Sequence, residues 1–228
     1  MKTAILVDGG FYRKRATALW GTKTAEERAK ELIHYCQEHI KAQKSNLYRV
    51  FYYDCAPIQG CAYHPLLKKN IILKNSQTYS WMETFLNELR KARKFAVRLG
   101  SLSEITLGYS LKKEVQKDLF AGKVKLEDIT ESDFNFTLEQ KGVDMKLGID
   151  IASLAYKKQV EQIVLISGDS DFVPAAKLAR REGIDFILDP MWAKIKDNLS
   201  EHIDGIHSCC SPKTPTPQTK TSAKGGNV

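Results

Sequence analysis

The sequence predicts an α/β fold, a three-layer α/β/α arrangement around a mostly parallel central sheet. Three observations carry that expectation. Short apolar runs alternate with amphipathic segments of roughly 10–15 residues, the pattern of strands joined by helical crossovers. The run Ile163-Val164-Leu165-Ile166 is apolar without interruption, as in a strand covered on both faces. Several runs also end at an aspartate or a glycine, where a strand passes into a turn and then a helix.

Taken in order, Ala4–Val7 is a short strand ending in Asp8-Gly9-Gly10. Phe11–Trp20 then reads as a helix. Ala25–Gln43 is a longer one, with Ala29, Leu32, Ile33, Cys36 and Ile40 at helical spacing. Leu47–Tyr53 is rich in aromatic and β-branched residues and stops at Asp54 and Pro57, so it is a second strand. Ser80–Lys94 reads as a helix and Phe95–Leu99 as a third strand. Ile105–Leu111 and Phe134–Leu138 are candidate strands within a weakly periodic stretch, 103–140, that covers the site or offers a partner surface. Asp144–Lys158 is an amphipathic helix, Gln162–Ile166 a buried strand, Phe172–Glu182 a helix stopped by Gly183, and Ile184–Leu188 a last strand before Asp189-Pro190.

The chain has 228 residues, 35 Lys plus Arg against 27 Asp plus Glu, and a net charge of +8. This length suits one generous domain with a real core. Residues 1–205 are expected to form it, with a basic variable region at about 60–140. Residues 206–228 read as a disordered basic tail of Pro, Ser, Thr and Lys. Mean hydropathy is −0.35, and no apolar stretch approaches the roughly 20 residues of a membrane helix. Five cysteines without paired CxxC units, and a start that does not read as an export signal, point to reduced thiols in a cytoplasm.

The charge is uneven. Residues 66–117 hold 11 Lys or Arg and four acids. The basic residues come in knots, Lys68-Lys69, Arg90-Lys91 with Arg93-Lys94, and Lys112-Lys113, with Tyr79, Trp81, Phe85 and Tyr109 between them. Cations neutralise phosphates and aromatic faces stack on bases, so this mixture suits single-stranded nucleic acid. A solvated helix face with inward aromatics would give the same pattern.

Ligands of open α/β sheets gather beyond the carboxyl ends of the strands. Asp8 ends the first strand, Asp144 opens a helix after Gly142, and Ser167-Gly168-Asp169-Ser170-Asp171 follows the buried strand. Each residue has a plain structural reading as a cap or turn former. Their shared edge favours a cluster: Asp8, Asp144, Asp169 and Asp171 as catalytic, metal-holding carboxylates. Like charges that close require a cation, and oxygen-only donors select Mg²⁺ or Mn²⁺ over zinc. Gly9, Gly10, Ser167, Gly168 and Ser170 are expected to support that set or position a phosphate. Asp150 lies about 120° around the helix from Asp144 and ranks behind them, as an outer-shell or surface charge. Asp189 ends the last strand.

Three blocks in this order resemble the NYN domain, the PIN-like nuclease fold of the LabA/DUF88 group. They are Ile5-Leu6-Val7-Asp8-Gly9-Gly10-Phe11, Gly142-Val143-Asp144-Met145-Lys146-Leu147 through Asp150, and Ser167-Gly168-Asp169-Ser170-Asp171-Phe172. The resemblance spans about residues 1–205. It implies a Mg²⁺- or Mn²⁺-dependent ribonuclease fold, the ion held at Asp8, Asp144, Asp169 and Asp171. Many members carry Asn where this chain has Phe11.

Other motifs are weaker. Cys55, Cys61 and His64 have a zinc-like spacing but supply only three ligands. Cys209 and Cys210 are expected to be exposed, and His34, His39, His202 and His207 read as surface residues. No GxxxxGK[ST] motif is present. The leading expectation is a metal-dependent hydrolase of RNA, single-stranded RNA favoured, with a homo-oligomer possible. The alternative is a non-catalytic RNA-binding or regulatory module. A phosphate-transfer enzyme using Asp169-Ser170-Asp171 as a metal clamp lacks a nucleotide-binding loop.

Overall fold

The computed structural model describes residues 1–195 and 197–212. In chain order the elements are β1 (Lys2–Asp8), α1 (Gly9–Trp20), α2 (Ala25–Ala42), β2 (Asn46–Cys55), β3 (Cys61–His64), β4 (Lys69–Ile72) and α3 (Gln77–Lys91). There follow β5 (Phe95–Leu111), α4 (Lys113–Phe120), β6 (Phe134–Lys141), α5 (Val143–Tyr156), β7 (Gln162–Ile166), α6 (Val173–Arg181), β8 (Asp185–Asp189), α7 (Asp197–Ser200) and β9 (Gly205–Ile206). A seven-stranded sheet runs β6-β5-β2-β1-β7-β8-β9, and β3 and β4 form a separate hairpin. All neighbours in the large sheet are parallel except β5 and β6.

The two-residue period of the strands divides the core. In β1, Ala4 and Leu6 face α5 and α6, while Ile5 and Val7 face α1, α2 and α3. In β7, Ile163 and Leu165 go one way and Val164 and Ile166 the other. All four are fully buried, which is why that run admits no polar residue. Burying each such aliphatic side chain contributes about 1.5–3 kcal/mol.

Several boundaries differ from the sequence reading for local reasons. Ser76 accepts a hydrogen bond from the Tyr79 amide, so α3 begins at Gln77 rather than Ser80 and ends at Lys91. The strand at Phe95 does not stop at Leu99; it continues to Leu111, because β6 pairs with its far half. Asp169 caps a short 3₁₀ turn, Ser170–Phe172, ahead of α6. A further strand, β9, follows Ile184–Leu188 and pairs with β8. Ile206 therefore belongs to the sheet, and of the adjacent pair Cys209 is buried rather than exposed while Cys210 is exposed. Residues 213–228, most of the expected disordered tail, lie outside the described residues.

The connections place one special point. From β1 the chain builds outward through β2 and β5 with α1–α3 on one face. It then crosses to β7 and builds the other way through β8 and β9, with α5 and α6 on the opposite face. The strand order reverses between β1 and β7, the point at whose carboxyl edge open α/β sheets form their ligand crevice. β5 and β6 extend beyond that edge as an antiparallel arm. β6 returns alongside β5, with Lys141 opposite Ser101, next to the Cys55–Gly100 pair at the end of β2. The returning chain so delivers the start of α5 to the carboxyl edge of strands that run the other way.

Candidate metal centre and nucleic-acid surface

Asp8 sits at the end of β1 as the N-cap of α1. Its Oδ1 accepts the Phe11 amide at 3.0 Å and its Oδ2 the Ser167 hydroxyl at 3.2 Å. Ser167, at the end of the neighbouring β7, is fully buried and also accepts the Asp169 amide at 3.2 Å. Asp169 in turn accepts the Asp171 amide at 3.0 Å. One buried hydroxyl thus ties both sides of the crevice together. Gly9 and Gly10 open α1, and Gly168 lies beneath the Phe11 ring. A Cβ at Gly168 would meet Phe11 Cε2 at 2.6 Å. Phe11 is therefore a packing residue against the β7 turn.

Asp144 comes from the opposite direction. Gly142 adopts a left-handed conformation, φ 79°, between β6 and α5, and places Asp144 in the first helical turn. A residue with a Cβ would be strained there.

The electrostatics join these groups. Burial pushes the Asp8 carboxyl above its ordinary value and Asp169 adds to the shift. The Phe11 amide, the Ser167 hydroxyl and Arg13 oppose it. Asp144 is also raised, first by partial desolvation and then by the charges of Asp8, Asp169 and Asp171. Asp144 is exposed, so the three neighbouring charges are the informative part of that shift.

Two other carboxylates at the same sheet edge behave differently. Asp54, near the end of β2, is buried, pairs with Arg13 and accepts the Tyr52 hydroxyl at 2.7 Å. Asp189, ending β8, is fully buried and accepts four donors. Its Oδ2 takes the Tyr35 hydroxyl and His39 Nε2, and its Oδ1 the Met191 amide and the Ser208 hydroxyl. Asp144, Asp169 and Asp171 have no Lys or Arg ion-pair partner among the described residues. Asp54 and Asp189 are thus held by several protein donors each, while no hydrogen-bond donor to the Asp144 or Asp171 carboxylate stands among the described residues. Asp150 is elsewhere: it accepts the Tyr53 hydroxyl at 2.8 Å and pairs with Arg98 at 3.2 Å. It is a structural ion pair, not an outer-shell partner of the crevice.

The aspartates are coupled but not closed into a tight cage. Among the described residues, the set of three possible ligand atoms lying within 4.8 Å of one another is His39, His207 and Cys209. Wider spacing fits a Mg²⁺-sized ion that keeps several waters and binds through one or two carboxylates plus substrate phosphate. It does not fit a dehydrated all-protein cage.

The basic knots are parted. Arg90, Lys91, Arg93 and Lys94 end α3 and precede β5, whose first pair is Val50–Phe95, so they stand at the amino edge of the sheet. Lys91 pairs with Glu88, Arg90 with Asn87, and Lys94 with the Leu47 carbonyl. Lys68 and Lys69 lie on the β3–β4 hairpin, and Lys112 and Lys113 begin α4 at the outer end of the arm. A cleft of about 410 Å³ leads from the carboxyl edge to this arm. It is lined by Arg13, Asp54, Tyr79, Met82, Tyr109 and Phe136 among others.

His64 is buried and lies tilted against the Tyr109 and Phe134 rings, so it packs the arm against the hairpin rather than joining Cys55 and Cys61 at a metal. His39 is likewise not a surface residue, being fully buried against Asp189. No described helix is long and apolar enough to cross a membrane.

A three-layer domain with an acidic crevice at its switch point has the architecture of the PIN-like nucleases. The family model of the NYN domain matches residues 71–207, more than half of the chain, and the chain belongs to that family. NYN domains are generally nucleases. The match takes in Asp144, Asp169 and Asp171; Asp8 precedes it. A crystal structure of a protein of unknown function from Vibrio parahaemolyticus is similar at 15% identity, over 90% of each chain, with a TM-score of 0.47. The comparison with curated proteins gave no match.

Proposed function

We propose that this protein is a divalent-metal-dependent ribonuclease that hydrolyses phosphodiester bonds of single-stranded RNA. The observation that carries the reading is the gathering of acids at the crevice with few protein donors of their own. Asp54 and Asp189 at the same edge are fully partnered, while Asp144, Asp169 and Asp171 gather beside Asp8 without a cation of their own.

Asp8, Asp144, Asp169 and Asp171 would hold a hydrated Mg²⁺ or Mn²⁺, one or two of them directly and the others through its waters. When bound, the ion supplies Lewis acidity and charge neutralisation at the scissile phosphate. The chain's own groups do the rest. The Ser167 hydroxyl fixes Asp8, the Asp171 amide fixes Asp169, and an oxygen of Asp171 accepts a proton from the attacking water. The cleft between Arg13 and the arm takes an unstacked base against Tyr79, Tyr109 or Phe136. Lys68, Lys69, Lys112 and Lys113 draw the phosphate backbone along the arm. The cysteines are all free thiols, which suits a reducing compartment such as the cytoplasm.

The test is cleavage of labelled single-stranded RNA by purified protein with Mg²⁺ or Mn²⁺. Asp169→Asn is expected to lower the rate by at least about 100-fold, the scale of losing one electrostatic stabiliser, while RNA binding persists. Cleavage unchanged in Asp169→Asn would refute the reading. Phe11 favours a second reading, an RNA-binding module without turnover, because its ring fills the place against Gly168 and offers no polar atom. Salt-sensitive binding with no metal-dependent cleavage would select that reading.

A further inference from the structure

At the far side of β8 from the crevice, His39 of α2 meets the segment that follows β9. The possible ligand atoms of His39, His207 and Cys209 all lie within 4.8 Å of one another. Cys209 Sγ is 3.4 Å from His207 Nε2. Zinc bonds of about 2.3 Å to sulfur and 2.0–2.1 Å to nitrogen set a tetrahedral S···N separation of about 3.5 Å. That pair already stands at the spacing a shared ion requires.

A second observation points the same way. His39 is fully buried, its Nε2 engages Asp189 Oδ2 at 2.7 Å, and its Nδ1 has no hydrogen-bond partner among the described residues. With Nε2 donating to the carboxylate, Nδ1 is a buried lone pair with no donor to accept from, an arrangement that is costly unless something else fills it. A carboxylate behind an imidazole is the usual support of a metal-bound histidine, fixing its tautomer and raising its basicity. The charges also balance. Asp189 has no Lys or Arg ion-pair partner among the described residues. One divalent ion would offset its negative charge together with that of a Cys209 thiolate.

We infer that His39, His207 and Cys209 hold a Zn²⁺ ion in an open site of three protein ligands, distinct from the aspartate crevice, that ties the chain after β9 to α2. Imidazole and thiolate donors select zinc over Mg²⁺. On binding, the Cys209 thiol gives its proton to solvent and a Zn–S bond forms, with the fourth position left to water. His207 is half-buried and gives the ion a route in.

The test is metal content and titration of the full chain, freed of metal and then given Zn²⁺ or Co²⁺. The wild type should retain one equivalent through gel filtration, and the cobalt form should show thiolate-to-cobalt charge transfer in the near ultraviolet. Cys209→Ser should abolish that absorption, and His207→Asn should abolish stoichiometric retention. Cys210→Ser, altering the exposed neighbour, should leave both unchanged, as should Asp8→Asn with Asp169→Asn. Should Cys209→Ser fail to fold, the half-exposed His207→Asn carries the result. A wild type without stoichiometric zinc, retention in both ligand variants, or loss on removing the crevice aspartates would each overturn the proposal.

Discussion

Asp8 and Asp189 both end parallel strands of one sheet, yet they meet opposite environments. Asp189 receives four donors, whereas Asp8 has a helix amide, a serine hydroxyl and the charges of Asp144 and Asp169 nearby. A consequence follows for pH. Burial raises the Asp8 carboxyl above its ordinary value of 3.8, so the folded chain holds that proton more tightly than the unfolded chain. Stability attributable to Asp8 is then lost as pH rises from the ordinary value through the raised one. In metal-free protein, the urea midpoint of wild type relative to Asp8→Asn should fall across that window and level off above it. The variant should be at least as stable at neutral pH and inactive. A difference that grows in favour of wild type over the same window would contradict this assignment. The sequence marks Asp8, Asp144 and Asp169 because each stands where a strand ends or a helix opens, a local property. It does not mark His39 as buried, since the partner Asp189 is 150 positions away and no local pattern links them.

Among the elements, the route from β6 to α5 determines whether Asp144 reaches the crevice at all. Strand–helix alternation makes a parallel sheet legible in the sequence. It does not reveal that β6 runs antiparallel, because 103–140 lacks periodicity and β5 is one long strand read as two short ones. Gly142 is the joint of this route, at φ 79°. Gly142→Val places a β-branched side chain in the left-handed region, at a cost of about 1–2 kcal/mol. Urea unfolding should show that loss, and RNA cleavage should drop further than stability alone explains, because Asp144 is displaced. Gly142→Asn, tolerated in this conformation, should lose less of both.

At the scale of the molecule, charge and chemistry are arranged along one direction. The sequence groups Lys68, Lys69, Arg90, Lys91, Arg93, Lys94, Lys112 and Lys113 as one basic surface, because they are near one another in number. Folding sends the middle four to the amino edge and leaves the others by the arm and hairpin. Reversing Lys68, Lys69, Lys112 and Lys113 to Glu should weaken RNA binding strongly and flatten its dependence on salt. Reversing Arg90, Lys91, Arg93 and Lys94 should change either quantity little. Filter binding over a salt series separates the two sets, and equal losses would mean that the strand wraps both edges.

The two strands of the arm leave and rejoin the sheet at one narrow base, Gly100 and Ser101 on one side and Lys141 on the other. Chain inserted or deleted at its tip would leave Asp144 where it is. What this projection touches can therefore diverge by lengthening, trimming or repainting it, while the aspartates at its base keep their places.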